Sequence, residues 1–215
     1  MRKEIESGSH RGKGRPRRFD RDQALHRALE VFWVRGYEPA SIAELCKAMD
    51  INAPSLYATF GNKAKLFLEA ANYYEKKYWE APAKKLLAEP DIYAGLERFF
   101  KEAARILISP DSPCGCMVVL AAINISDNAE DVIEAIRRLR FATKDMFASR
   151  LRQAVKDGQL PKKTDIAALA GALNAMLEGL SIQARDGLAL AELQRIASHA
   201  IRLLPQRESV ASPQK

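Results

Sequence analysis

Apolar positions recur at three- and four-residue steps along most of the chain, and no run alternates as a half-buried strand would. The pattern predicts an all-α protein. The first stripe is Leu25, Ala28, Leu29, Phe32 and Trp33, opened by a capping pair, Asp20 and Gln23, and closed by Gly36. A shorter stripe follows Ser41 and Glu44, an S-x-x-E capping box, and consists of Ile42, Leu45, Cys46 and Met49. Asn52 then caps a third helix, with Pro54 in its first turn, running over about residues 53–59. Ile51, Leu56 and Phe60 are its apolar edge. Gly61 is placed to stop it, and Asn62 caps a longer helix that carries Leu66, Phe67, Ala70, Ala71, Tyr74, Tyr78 and Trp79 until Pro82 ends or kinks it.

Two short capped helices separated by a tight turn, with a third to cover them, make a helix-turn-helix unit or an ordinary helical hairpin. The face left outward on the third helix favours the first. Asn52, Ala53, Ser55, Tyr57 and Thr59 are small or polar, and such a face can approach base edges and phosphates closely. Lys63 and Lys65 sit in the first turn of the following helix, where cations oppose the helix dipole. A phosphate docked there would be held by free N–H groups and neutralised by the lysines.

Beyond Pro90 the pattern predicts helices over about 91–109, 114–126, 128–157, 164–186 and 188–204, with breakers at Pro110, Pro113, Gly158, Pro161 and Gly187. This divides the chain into a basic arm over 1–19, a small head over 20–65, a larger helical domain over 66–204 and a tail over 205–215. Charge sharpens the division. The formal net charge is +7, and residues 1–21 hold eight Lys or Arg against three acids. A basic arm on a nearly neutral body is the footprint of a protein that grips a polyanion at one end. Within it, Arg15, Arg17 and Arg18 are spaced by Pro and Gly, as suits either minor-groove entry or non-specific phosphate contact. No stretch approaches eighteen continuous apolar residues and no signal-peptide pattern opens the chain, so a cytoplasmic protein with no membrane segment is expected. Three cysteines fit a reducing compartment.

The run GYEPASIAELCKAMDINAPSLYATFGNKAKLF, from Gly36 to Phe67, resembles the DNA-binding region of TetR-type transcriptional repressors. Its Gly-aromatic pair, I-A-x-x and S-L-Y-x-x-F-x-N-K fall in order and without gaps. The resemblance implies that Tyr57 and Lys63 contact phosphates, that Ser41 caps its helix and touches the backbone, and that Asn52, Ala53, Pro54 and Ser55 meet base edges. It departs at Ala58 and Thr59, where the family often carries bulkier residues. It also implies a homodimer on double-stranded operator DNA, released by a small-molecule effector, with no enzyme activity, cofactor or metal.

Two later segments take on meaning beside that family. Ala167, Gly171, Ala175 and Gly179 form a smooth row on one helix, which together with Leu173 and Leu180 argues for close helix packing. In TetR-type proteins the last two helices pair across the dimer. The segment Ser112–Asn124 is apolar and begins Cys114-Gly115-Cys116; in the family the helix in this position walls the effector pocket. Cys116, Met117 and Leu120 from it, with Phe99, Ala103, Leu107 and Phe141 and the polar Asn174 and Glu178, are the expected ligand contacts. Cysteines opening a helix can also have depressed pKa values, which leaves open a thiol sensor of oxidants or electrophiles, or a thiol enzyme on Cys114 and Cys116. No spaced His and acid supports the enzyme. A non-specific architectural DNA binder is the remaining alternative, favoured by the basic arm.

Overall fold

The computed structural model describes residues 20–121, 125–126 and 129–206. The basic arm, with Arg15, Arg17 and Arg18, lies outside the described residues. Helix α1 (Arg21–Arg35) is capped by the Asp20 carboxylate, which accepts from the N–H groups of Asp22 and Gln23. All five residues of its predicted stripe are buried. Helices α2 (Ile42–Met49) and α3 (Ala53–Phe60) follow, and the turn between them is closed by Asp50 in a left-handed conformation at φ 57°, which a short polar side chain tolerates. Asn52 Oδ1 accepts from Ser55 N–H at 2.9 Å, and Asn62 Oδ1 from Lys65 N–H at 2.8 Å. The capping box at Ser41 is only half made. Ser41 Oγ accepts from Glu44 N–H at 3.1 Å, but the Glu44 carboxylate turns away to Arg35 at 2.9 Å, joining α2 to α1.

Helix α4 (Lys63–Tyr74) packs across α1 through Phe32 against Phe67 and Trp33 against Tyr74, at ring separations of 5.0 and 4.7 Å. It does not stop before Pro82. The chain passes through a π-turn (Glu75–Trp79), where Glu80 N–H bonds Glu75 C=O five residues back, and continues as α5 (Glu80–Ala88). The extra residue in that turn accommodates a proline that cannot bond the carbonyl four residues before it. Helices α6 (Ile92–Leu107), α8 (Glu130–Lys156) and α9 (Ile166–Arg185) pack around Phe99, Phe100 and Phe147, and α10 (Leu190–Ala197) with a 3-10 turn (Ala200–Leu203) closes against α6 and α9.

Of the predicted helix over 114–126, the described residues keep only a short piece. Only α7 (Met117–Leu120) is helical, and the rest of 109–121 is a strap whose backbone is directed elsewhere. Gly115 has φ +84°, and its carbonyl accepts the buried Trp33 indole N–H at 3.0 Å. Cys116 N–H donates to Ser181 Oγ at 2.7 Å, and Tyr37 N–H donates to Ala121 C=O at 2.8 Å. The strap therefore bonds α1 of the head and α9 of the body.

A methyl group on Gly115 would meet Leu120 Cδ1 at 2.4 Å and Ser181 C=O at 2.8 Å, besides its strained φ. Gly158 has a similar φ but nothing within 4 Å. Gly158→Ala is expected to lose about 1 kcal/mol, and Gly115→Ala roughly 2 kcal/mol more from the clash. Urea unfolding of the two variants checks the difference; equal losses would contradict the packing described.

Candidate nucleic-acid interface and effector cavity

Helix α3 is exposed on the face that carries Asn52, Pro54, Ser55, Tyr57 and Ala58, while Leu56 and Phe60 anchor it to the core. Ala53 and Thr59 are half-buried at its edges. Tyr57 is 48% exposed, high for an aromatic side chain, and its hydroxyl is free to meet a phosphate. Arg21 stacks its guanidinium over Phe60 at 4.9 Å and bonds Glu69 at 2.8 Å, which ties the end of α3 to α1 and α4. Ser41 is exposed at the start of α2. Beside α3, a polar depression brings Arg27 and Lys47 next to Asn52 and Ser55. Neither cation stood out in the sequence, because each is an ordinary polar-face residue until α1 and α2 are folded together.

Lys63 is not a free cation. Its ammonium donates to Glu38 C=O at 2.9 Å and lies 4.6 Å from the centre of the Tyr37 ring. Burial lowers its pKa, partly offset by the nearby Glu38 carboxylate. An ammonium has three donors, so two remain for a phosphate. Lys65 folds its stem over Gly61 instead. The Glu38 carboxylate accepts from Ser126 N–H and Oγ–H at 2.8 and 2.6 Å, which lowers its pKa and links this corner of the head to the residues after the strap.

In the body a cavity of about 440 Å³ opens between the π-turn, the strap, α8 and α9. Trp79, Phe99, Val118, Leu139, Met146 and Leu177 give it apolar walls, and Glu75, Arg140, Asn174 and Glu178 place polar groups on them. Of the nine residues expected at a ligand, Phe99, Cys116, Asn174 and Glu178 line it. Ala103, Leu107 and Met117 do not: each is fully buried in the core between helices. Leu120 packs over Gly115 on the strap's other side. Phe141 is 51% exposed and sits under Arg137, because the face of α8 that meets the cavity is that of Leu139, Arg140, Thr143 and Met146. Glu75 and Trp79 were missed as site residues because ordinary α-helical spacing does not disclose a π-turn; Pro82 was the only signal.

On α9 the two sets of residues expected at a dimer interface separate. Leu173 and Leu180 are buried in the protomer's own core, so they cannot meet a second copy. Ala167 and Ala175 are exposed and Gly171 and Gly179 half-exposed; a methyl on Gly179 would meet nothing within 4 Å. The small-residue row thus faces outward, with Ile182, 48% exposed, continuing it.

Cys116 is buried beside Tyr74, and burial, reinforced by Glu75, pushes its thiol up to about 11. That is the reverse of the activated thiol that a helix start suggests. The short α7 has little dipole to offer, and the N–H groups of Val118 and Val119, which bond the Cys116 sulfur, lower its pKa by less than burial raises it. Cys46 is likewise buried in the head and raised by burial. Among the described residues no three His, Cys, Asp or Glu gather to hold a metal. At pH 7 a thiol of that pKa is ionised to only about one part in ten thousand. Brief iodoacetamide treatment of the folded protein, read by peptide mass mapping, is therefore expected to label the half-exposed Cys114 well before Cys116 or Cys46. Labelling of Cys116 at the Cys114 rate would contradict its burial.

Comparison with known proteins places this architecture. Residues 24–70 match the family model described as bacterial regulatory proteins, tetR family, and residues 93–201 match the tetracyclin repressor-like C-terminal domain. The HTH-type transcriptional repressor ComR of Escherichia coli (strain K12) is 32% identical over 197 residues, covering 91% of this chain and 94% of that protein. The HTH-type transcriptional repressor BdcR of the same organism is 31% identical over 187 residues, 87% of this chain and 90% of that protein. A cysteine mutant of the TetR family regulator CifR, solved with a 26-bp double-strand operator DNA, is 40% identical, with a TM-score of 0.85 over 89% of this chain and all of that one. Both halves of the sequence and the whole of the fold therefore agree, and the chain belongs to the TetR family of bacterial transcriptional regulators.

Proposed function

We propose that the protein is a cytoplasmic, homodimeric repressor without enzyme activity. Its head, residues 20–65, binds a near-palindromic operator, and its body, residues 66–204, binds a small effector and pairs with a second copy. The observation that carries the reading is the outward face of α3, held rigid by its caps and flanked by Arg27 and Lys47. Asn52, Ala53, Pro54 and Ser55 read base edges, while Tyr57, Lys63 and Ser41 hold phosphates and set the register. One such helix reads few base pairs. Pairing through the exposed small-residue row of α9 places two of them on successive major grooves, about 34–36 Å apart. By length and composition α9 is apolar enough to cross a membrane, with little of it buried; a partner helix on that face is the reading that suits a DNA-bound protein.

Release follows from the strap. Cys116, Val118 and Val119 wall the cavity, and the strap that carries them bonds Trp33 and Tyr37 at the end of α1. An effector that fills the cavity better in one arrangement of the strap favours the head position that goes with it. Full release from 99:1 to 1:99 needs about 5.5 kcal/mol of differential binding.

The test is selection from randomised duplexes with bulk DNA in excess, at fixed salt. A palindromic consensus is expected. Tyr57→Ala is expected to weaken binding to it by about tenfold or more at every sequence, while thermal stability changes little because the side chain is exposed. Ser55→Ala is expected to relax preference at one position in each half-site. Binding with no consensus would support the architectural alternative instead.

A further inference from the structure

The cavity carries one group whose chemistry its surroundings leave incomplete. Glu75 lines it from the π-turn, half-buried, and its carboxyl makes no ion pair or hydrogen bond among the described residues. Burial alone raises its pKa, to about 7; among the described residues no cation stands close enough to lower it. The neighbours explain why. On its own helix, Lys76 is exposed and Glu80 pairs with Lys84. On the strap, the Cys116 thiol is un-ionised. On α8, the Arg140 guanidinium is held by the carbonyls of Val118 and Val119, at 3.1 to 3.3 Å. On α9, Glu178 accepts from Asn174 at 3.0 Å. Three carboxyl groups, of Glu75, Glu80 and Glu178, thus line the cavity, and of these Glu75 alone has no partner among the described residues.

An uncompensated carboxyl in such a place is unfavourable in the empty protein, and a bound cation would relieve it. The π-turn places Trp79, four residues on from Glu75, on the same cavity, so an aromatic ring and the carboxyl line one space that a cation could enter. The volume lies in the lower part of the range for small-molecule sites. We infer that the effector is a compact apolar amine, bound as its ammonium, with the charge paired to Glu75 and the hydrocarbon body against Trp79, Phe99, Leu139, Met146 and Leu177.

This rests on the cavity being the effector site, and it is tested on the free protein so that operator binding is judged separately. The probes are a matched series: 4-phenylbutylammonium, 4-phenylbutanol and 4-phenylbutyrate. Binding is measured by calorimetry at pH 8 and pH 6, across which the amine stays charged. At pH 8 the ammonium is expected to bind at least about tenfold tighter than the alcohol, and the carboxylate weakest. Glu75 takes up its proton as the pH falls through about 7, so at pH 6 the ammonium's advantage is expected to shrink to within about threefold while the alcohol is unaffected. Glu75→Gln is expected to remove the advantage at both pH values while keeping the alcohol's affinity; if that variant does not fold, the two-pH comparison on the natural protein decides. The inference is overturned if the alcohol or carboxylate matches the ammonium at pH 8, if the preference survives Glu75→Gln, or if no probe saturates by about 5 mM. A preference for the ammonium with no effect on the selected operator complex would keep the site chemistry and count against the cavity as the release switch.

Discussion

A single buried hydrogen bond, from the Trp33 indole to the Gly115 carbonyl at 3.0 Å, fixes how the two parts of this protein meet. The donor is on the last turn of the first head helix, and the acceptor is on the strap that walls the cavity. Neither group can turn to water, so breaking the bond would leave a buried donor and a buried acceptor unsatisfied. Around it the geometry is over-determined. Trp33 is wedged edge-on against Tyr74 and Tyr78, Gly115 is held by Leu107 from one side and its neighbour Cys116 by Ser181 from another, and Arg185 reaches the carbonyls at the end of α1. A close-packed joint of this kind moves between discrete arrangements rather than bending gradually.

The cavity is a product of the same arrangement. The strap's backbone is committed to the head and to α9, and its Cys116, Val118 and Val119 wall the cavity opposite the π-turn. The π-turn itself follows from Pro82. Its register carries Glu75 and Trp79 onto the cavity wall and leaves the carboxyl without a partner, a local instability of the sort that collects where a protein binds something. The Cys116 thiol next to it is pushed the other way from reactivity by the same burial.

Helix α9 serves two neighbours at once. Its large apolar residues, Leu173, Leu177 and Leu180, turn inward with Ala170 and Ala184, while Ala167, Gly171, Ala175 and Gly179 turn out. A helix with apolar residues on both its inward and its outward face needs covering on both. Small residues on the uncovered side let a second backbone approach closely, and two copies of one face can pack on each other about a twofold axis.

The head was legible residue by residue in the sequence, since it depends on local rules: Asn52 and Asn62 cap their helices, Gly61 takes positive φ, and the Leu25 to Trp33 stripe is buried. Those signals act over three or four residues and are written in order. Three of the body's helices were legible too, over 91–109, 128–157 and 164–186, with their ends displaced by a residue or two, whereas the one over 188–204 breaks after Ala197 into a 3-10 turn and that over 114–126 keeps only Met117–Leu120 helical among its described residues. What the sequence could not show is where backbone and polar groups find partners far along the chain. Glu44 leaves its capping box for Arg35, Lys63 turns back to Glu38, the strap gives up helix to bond Trp33 and Tyr37, and Phe141 faces outward while Glu75 faces the cavity. Sequence determined the all-α fold, the helix-turn-helix head and the outward face of its third helix, because periodicity and capping are local. The tertiary structure alone decided the cavity, its uncompensated carboxyl and the joint between body and head, because each is made by residues that only packing brings together.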